Sequence, residues 1–241
     1  MMVSSSPSPA ALAFLAPVEV RCQGVLFDMD GILVSSLGSV ERCWSIWARM
    51  RGVDVDETVR TAHGRRAVET IALLRPDLDP AAELKVIEDL EITDNEGLAV
   101  LPGIPELLTA LPLDRWTVVT SATDRLARVR LAAGGLAVPD RMIAADHVPQ
   151  GKPHPMPYLR GAELLGLPPE SCVVFEDSGA GAKAGRAAGC TVIATTFSHS
   201  IEDLAAAHYL VPDLSGIDVE VLPGNAGLAL RFRPLAVESR G

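Results

Sequence analysis

Short, largely apolar runs alternate along this chain with stretches whose apolar positions recur at helical spacing. The runs are Val25-Leu26-Phe27, Trp116-Thr117-Val118-Val119, Met142-Ile143, Cys172-Val173-Val174-Phe175, Thr191 to Ala194 and Tyr209 to Val211. Each is bounded by turn formers or polar residues, the pattern of a strand buried on both faces. Between them, helices are expected up to Ala110, over Asp124 to Ala133 with Gly134-Gly135 as a left-handed end, up to Leu165, and after Ser178 as far as Gly189. Strand and helix alternate, so the expected class is α/β, a doubly wound, mostly parallel sheet with helices on both faces.

One stretch breaks the alternation. A strand–helix–strand unit crosses back quickly, yet residues 36–99 hold no strong strand pattern. Val40, Cys43, Trp44 and Trp47 mark one amphipathic helix, Val68, Ile71, Ala72 and Arg75 a second, and Ala82 to Leu90 a third. These helices read as a cap inserted into a core of residues 21–35 and 100–222, with hinges near Val34 to Leu37 and Leu98 to Gly103. Trp44 and Trp47 are assigned to the cap's own packing. Residues 1–20 open Ser/Pro-rich and read as a mobile tail, part of it packed on the domain. Residues 223–241 read as a C-terminal tail or an added edge segment, with Tyr209 to Val211 as the final strand.

Composition narrows the function classes. The 241 residues are 48% hydrophobic, enough for a substantial core. A net charge of −10 opposes nucleic-acid binding. The longest apolar stretches are too short to span a bilayer. The four cysteines, Cys22, Cys43, Cys172 and Cys190, lack C-x-x-C spacing, and are read as buried free thiols in a reducing, cytoplasmic setting.

The chemistry gathers at strand ends. Asp28 and Asp30 follow the first run and Gly31 closes the turn. Two carboxylates so close repel, and a hard cation such as Mg2+ relieves that; a turn-rich loop with no further role is the alternative. Thr120 and Ser121 follow the second run. Lys152 stands in Gly151-Lys152-Pro153-His154-Pro155, where prolines stiffen its approach and His154 reads as a turn residue. Glu176, Asp177 and Ser178 follow the third run. A carboxylate pair, a hydroxyl, an ammonium and a second carboxylate pair are the parts phosphoryl transfer needs. The glycines after Ser178 are spaced G-x-G-x-x-x-G, one residue off a dinucleotide loop, and suit close helix–sheet packing. In the inserted region, His63-Gly64-Arg65-Arg66 is a turn able to present guanidinium groups to an anion; a solvated basic turn is the alternative.

Taken together, these four stretches resemble the haloacid dehalogenase-like superfamily, in its phosphatase and phosphomutase branch with a helical cap. The segments from Gly151 and from Val173 look most like sugar-phosphate and polyol-phosphate phosphatases, including glycerol phosphate and 2-deoxyglucose 6-phosphate enzymes. That resemblance implies a Rossmann-like core and an aspartyl-phosphate mechanism: Asp28 as nucleophile, Asp30 as general acid and base, Thr120 and Ser121 on phosphoryl oxygens, and Lys152 balancing charge. It implies Mg2+ held by Asp28, the Asp30 backbone carbonyl, Asp177 and Glu176, the last directly or through water. It places Arg65, then His63, on the substrate, and Asp146 near the site. Family members often carry aspartate where this chain has Ser35, a place peripheral to the chemistry. The partner is then a small phosphorylated metabolite, and the chain a monomer or weak homodimer. Rival readings are a β-phosphoglucomutase-like sugar phosphomutase, a phosphoglycolate phosphatase and a non-catalytic binding protein on the same fold. The Asp28 and Asp30 pair disfavours a dehalogenase.

Overall fold

The computed structural model describes residues 13–236. The Ser/Pro-rich start expected to be mobile and residues 237–241 of the expected tail lie outside that range. Five parallel strands form the central sheet: β2 (Gly24–Phe27), β5 (Trp116–Val118), β6 (Cys172–Glu176), β7 (Thr191–Thr195) and β8 (Tyr209–Val211), in the order β5-β2-β6-β7-β8. The expected strand at Met142-Ile143 reduces to one parallel bridge between Val119 and Ile143.

Period-2 alternation sorts the side chains between two cores. Val25, Phe27, Val173 and Phe175 point to one face, under α5 (Ile104–Ala110) and α6 (Asp124–Ala133). Leu26, Cys172 and Val174 point to the other, under α7 (Met156–Leu164) and α8 (Gly179–Ala187). Phe27 stacks on Phe175 at 5.2 Å and meets Trp116 edge-on at 5.9 Å, geometries that add to area burial. All four cysteines are buried and unbridged. No helix among the described residues is long and apolar enough to cross a membrane.

The inserted stretch folds as four helices where three were expected: α1 (Leu37–Arg51), α2 (Val55–Ala62), α3 (Ala67–Leu74) and α4 (Pro80–Thr93). The unexpected one, α2, is short and mostly polar. It starts because Asp54 accepts the Glu57 amide at 2.7 Å, an N-cap. Cys43, Trp44, Trp47, Ala62, Ile71 and Ile87 give the four helices a core of their own. The chain enters and leaves them through a two-stranded antiparallel ribbon, β3 (Val34–Ser35) and β4 (Ala99–Val100).

Both ends differ from expectation. β1 (Val18–Cys22), which begins in the expected tail and ends in the expected core, pairs antiparallel with β10 (Leu228–Phe232), and β10 with β9 (Asp218–Val221). Tyr209 to Val211 is therefore not the final strand. The C-terminal segment builds a separate three-stranded sheet rather than extending the edge of the central one. Leu228, Leu230 and Phe232 pack into the core face that α5 and α6 cover; a pairing partner some two hundred residues away leaves no local trace.

Candidate active site

Register brings the chemistry together. Phe27 lies opposite Val118 on one side and Phe175 on the other. Residues one and two beyond those positions therefore line one edge of the sheet, the carboxyl ends of β5, β2 and β6, where open α/β sheets bind ligands. Asp28, Thr120 and the Glu176-Asp177 pair stand there side by side, 8%, 3%, 0% and 5% exposed.

Lys152, 3% exposed, joins them from the loop before α7. Its Nζ donates to Asp28 Oδ1 and to Glu176 Oε1, both at 2.7 Å. Burial works against its charge, but the two carboxylates outweigh burial and raise its pKa. Glu176 takes four more hydrogen bonds: from Tyr158 Oη at 2.7 Å on Oε1, and on Oε2 from the Asp177 and Ser178 amides at 2.9 and 3.0 Å and the Ser178 hydroxyl at 3.0 Å. Burial pushes its pKa up, but Lys152 and these donors bring it below the ordinary value. Gly181 is obligatory beside it, because a Cβ there would run into the Glu176 carboxylate. The glycines after Ser178 thus serve close packing, as their spacing suggests.

Asp28 and Asp177 are less satisfied. Burial pushes Asp28 up, Lys152 pulls it back and the Glu176 charge pushes it further, leaving it at about 7. Asp177 is raised well above the carboxylate range by burial and by the Glu176 and Asp28 charges, against a bond from Ser198 Oγ. Ligand oxygens of Asp28, Glu176 and Asp177 lie within 4.8 Å of one another. Three carboxylates face one ammonium here, an excess of two negative charges in a buried place. That excess fits a divalent cation with oxygen ligands, and the chain carries an acidic cluster able to hold one. Asp28 and Asp177 have lone pairs free for it, whereas those of Glu176 are already engaged.

Asp30 sits higher, its side chain 29% exposed. Its Oδ1 accepts from Ser36 Oγ at 2.5 Å and from Arg130 Nη1 at 2.9 Å. Thr120 Oγ1 accepts the Ala122 amide at 3.0 Å, so its own hydroxyl proton can point elsewhere. Ser121 Oγ donates to the Gly64 carbonyl at 3.3 Å, across to the helical insertion.

A cavity of about 150 Å³ opens between these groups and the insertion. Trp44, assigned from sequence to packing alone, both packs and lines it. The turn at residues 63–66 reaches over the cavity, and its two arginines part company. Arg66 is buried and donates to the Val148, Pro149 and Ala145 carbonyls at 2.8, 3.1 and 3.4 Å, clasping insertion to core. Arg65 is exposed at the rim, its side chain without a partner among the described residues. His63 is half-buried, its ring 6.4 Å from that of His199; burial and then His199 lower its pKa. Asp146 accepts the Asp124 amide at 2.9 Å at the start of α6. His154 accepts the Met156 amide at 3.2 Å at the start of α7.

Residues at the site that carried no local signal include Tyr158, Ser36, Arg130, Glu91, Ser198 and His199. Arg130 is one of three arginines in α6 and Glu91 one of several acids in α4. Only the packing of the two helices buries them, at 3% and 7% exposure.

Comparison with known proteins adds the following. The sequence profile of haloacid dehalogenase-like hydrolases matches residues 22–189. The chain is 44% identical over 180 residues to hexitol phosphatase A of Escherichia coli, covering 73% of this chain and 83% of that protein. It is 34% identical over 195 residues to glycerol-1-phosphate phosphohydrolase 2 of Saccharomyces cerevisiae, covering 75% and 78%. A crystal structure of a hydrolase from Pseudomonas syringae superposes with a TM-score of 0.72 at 22% identity, covering 80% of this chain and 94% of the other.

Proposed function

The chain belongs to the haloacid dehalogenase-like hydrolases, and on that premise we propose that it is a Mg2+-dependent phosphatase acting on the monophosphate of a small polyol or sugar. The observation that carries this is the buried Lys152, held between Asp28 and Glu176 beside the Asp177 carboxylate. It sets a nucleophile, a fixed cation and a metal-ready charge excess at one point. The names of the two relatives above supply the substrate class.

Asp28 attacks the phosphorus and an aspartyl phosphate forms as the bond to the leaving alcohol breaks. Asp30 gives that alcohol oxygen its proton, then takes one from the water that hydrolyses the intermediate. Thr120 donates to a phosphoryl oxygen. Lys152 balances charge between Asp28 and the phosphoryl group, and Glu176 keeps Lys152 and the turn before α8 in place. Asp28, Asp177 and the Asp30 backbone carbonyl would hold the Mg2+, which when bound offsets the repulsion between carboxylate and phosphate dianion. The four inserted helices act as a cap moving about the β3–β4 ribbon, with Arg65 and His63 facing the alcohol.

The test is a phosphate-release screen over hexitol, glycerol and sugar phosphates and phosphoglycolate, run with Mg2+ on the wild type and on Asp28→Asn. Release from a polyol or sugar phosphate, lost in a folded Asp28→Asn protein, is expected. Equal release by the variant, or interconversion of sugar phosphates with no release, would overturn the proposal.

A further inference from the structure

Arg130 carries a charge into the interior with no part in the chemistry assigned above. It projects from α6 and lies between two carboxylates. Its Nη1 donates to Asp30 Oδ1 at 2.9 Å and its Nη2 to Glu91 Oε1 at 3.3 Å. Asp30 belongs to the core, Glu91 to α4 of the helical insertion. The guanidinium thus bridges the two units beside the cavity it helps to line.

Packing alone does not ask for this residue. Burying a guanidinium costs desolvation, and an apolar side chain of similar size would join α4 to α6 with less. Its Nε has no acceptor among the described residues, a further cost. The α4–α6 seam is already pinned nearer its solvent side, where Arg125 pairs with Glu88 and Asp89 at 2.8 and 2.9 Å and Thr123 donates to Glu88.

What Arg130 does do is fix Asp30. Oδ1 takes both Arg130 and the Ser36 hydroxyl, while Oδ2 accepts nothing from the described residues. A carboxylate on a turn, held by one rotatable hydroxyl, can swing about two torsions. A planar guanidinium fixed at its far end sets the carboxylate's direction and leaves Oδ2 as the oxygen able to exchange a proton with the cavity. Glu91 fixes that far end, and it does so from the insertion.

We propose that Arg130 is a positioning residue for Asp30, and that Glu91 completes its grip when α4 is docked on α6, tying alignment of the acid–base carboxylate to closure of the helical insertion. This rests on the reading of Asp30 as the acid–base group.

The experiment compares Arg130→Met, Arg130→Lys, Glu91→Met and Asp30→Asn on two esters, with thermal melts as folding controls. Glycerol phosphate has a poor leaving group that needs a proton. The first turnover of p-nitrophenyl phosphate needs none. Arg130→Met is expected to lower kcat on glycerol phosphate by at least about tenfold with KM little changed, and to slow first-turnover nitrophenol release by less than about threefold. Arg130→Lys should recover part of the loss. Arg130→Met added to Asp30→Asn should cost nothing further, since residues acting as one unit are not additive. Equal losses on both esters, or additive losses in the Asp30→Asn background, would overturn the proposal. Should Arg130→Met not fold, Glu91→Met, which removes the acceptor for Arg130 Nη2 at similar size, must show the same split between esters; the absence of a split sinks the proposal. Asp30→Asn retaining full turnover on glycerol phosphate would instead remove the acid–base reading itself, a result recognisable without any Arg130 variant.

Discussion

Glu176 and Asp177 are neighbours in the same acidic cluster, yet the structure requires them to respond in opposite directions when neutralised. Glu176 accepts five hydrogen bonds, among them that of the buried Lys152. In Glu176→Gln, one oxygen becomes an amide donor. Turned towards Oε2's partners, it faces two backbone amides that cannot reverse their polarity. Turned towards Oε1's partners, it faces the ammonium. Unsatisfied buried donors at about 1–3 kcal/mol each, or a broken buried ion pair at about 3–5 kcal/mol, put the loss at about 3–5 kcal/mol. For a chain of this length that is a fall in Tm of roughly 6–20 °C. Among the described residues Asp177 has only the Ser198 hydroxyl as a side-chain partner, and it is raised well above its ordinary pKa by burial and the Glu176 and Asp28 charges. Asp177→Asn removes that repulsion, so the metal-free protein should gain stability while its affinity for a divalent cation collapses. The assay is thermal denaturation at neutral pH, with chelator and with excess Mg2+. A Glu176→Gln protein as stable as the wild type under chelator would show that Glu176 is not the anchor of Lys152 and return it to the role of metal ligand.

Other outcomes follow from the same geometry. Chelation should abolish phosphate release, Mg2+ restore it and Ca2+ fail to, because Ca2+ takes more ligands at longer distances; full activity after exhaustive chelation would refute this. Arg65→Ala should cut kcat/KM for the preferred polyol or sugar phosphate by about tenfold, a loss of about 1.4 kcal/mol, and hardly affect p-nitrophenyl phosphate or Tm. Arg66→Ala breaks bonds to three core carbonyls and should weaken both substrates alike, with a KM increase as the readout; the reverse pattern would exchange the two roles. Burial, the largest influence, pushes Glu91 up from 4.5 to about 7, against Arg130, which stays charged throughout. A carboxyl raised on folding binds its proton more tightly in the native state. Its contribution is therefore complete below about 4.5 and is lost as pH rises towards and through about 7, on the order of 1.4 kcal/mol for each tenfold gain in proton affinity. The chelated protein should lose Tm over that window, and Glu91→Gln should flatten the loss; a Tm rising from pH 5 to 7.5 would contradict it.

How much was legible in the sequence depended on how local each cause is. Asp28, Asp30, Thr120, Glu176 and Asp177 follow apolar runs directly, and a parallel sheet places such residues along one edge whatever the rest of the chain does. Lys152 was legible from its proline-stiffened turn. Arg130 was not. In Asp124 to Ala133 the arginines at 125, 128 and 130 look alike, and only the arrival of α4 makes one of them interior. Glu176 was legible as an acid at the right place, but its five donors come from α7, the Lys152 loop and its own turn, a convergence that spacing cannot state. α2 spans only eight residues, with Val55, Val59 and Ala62 as its apolar positions among polar ones, and starts from its Asp54 cap. Leu228 to Phe232 does alternate as a strand should, but its partner stands at the opposite end of the chain.

That partnership has a consequence for how the molecule comes into being. β1 runs into β2 with only Gln23 between them, so the strand that delivers Asp28 begins where β1 ends. Among the described residues β1 in turn finds its ladder only in β10, with Val18 opposite Phe232. On the ribosome the strand leading to Asp28 is made some two hundred residues before β10, so the sheet flanking its starting end cannot close until residue 232 has emerged. Pairings of such sequence separation form late and slowly. A nascent chain stopped after β8 should hold every group of the site and still leave the apolar row of Val18, Val20 and Cys22 uncovered, a substrate for chaperones and proteases until synthesis moves on.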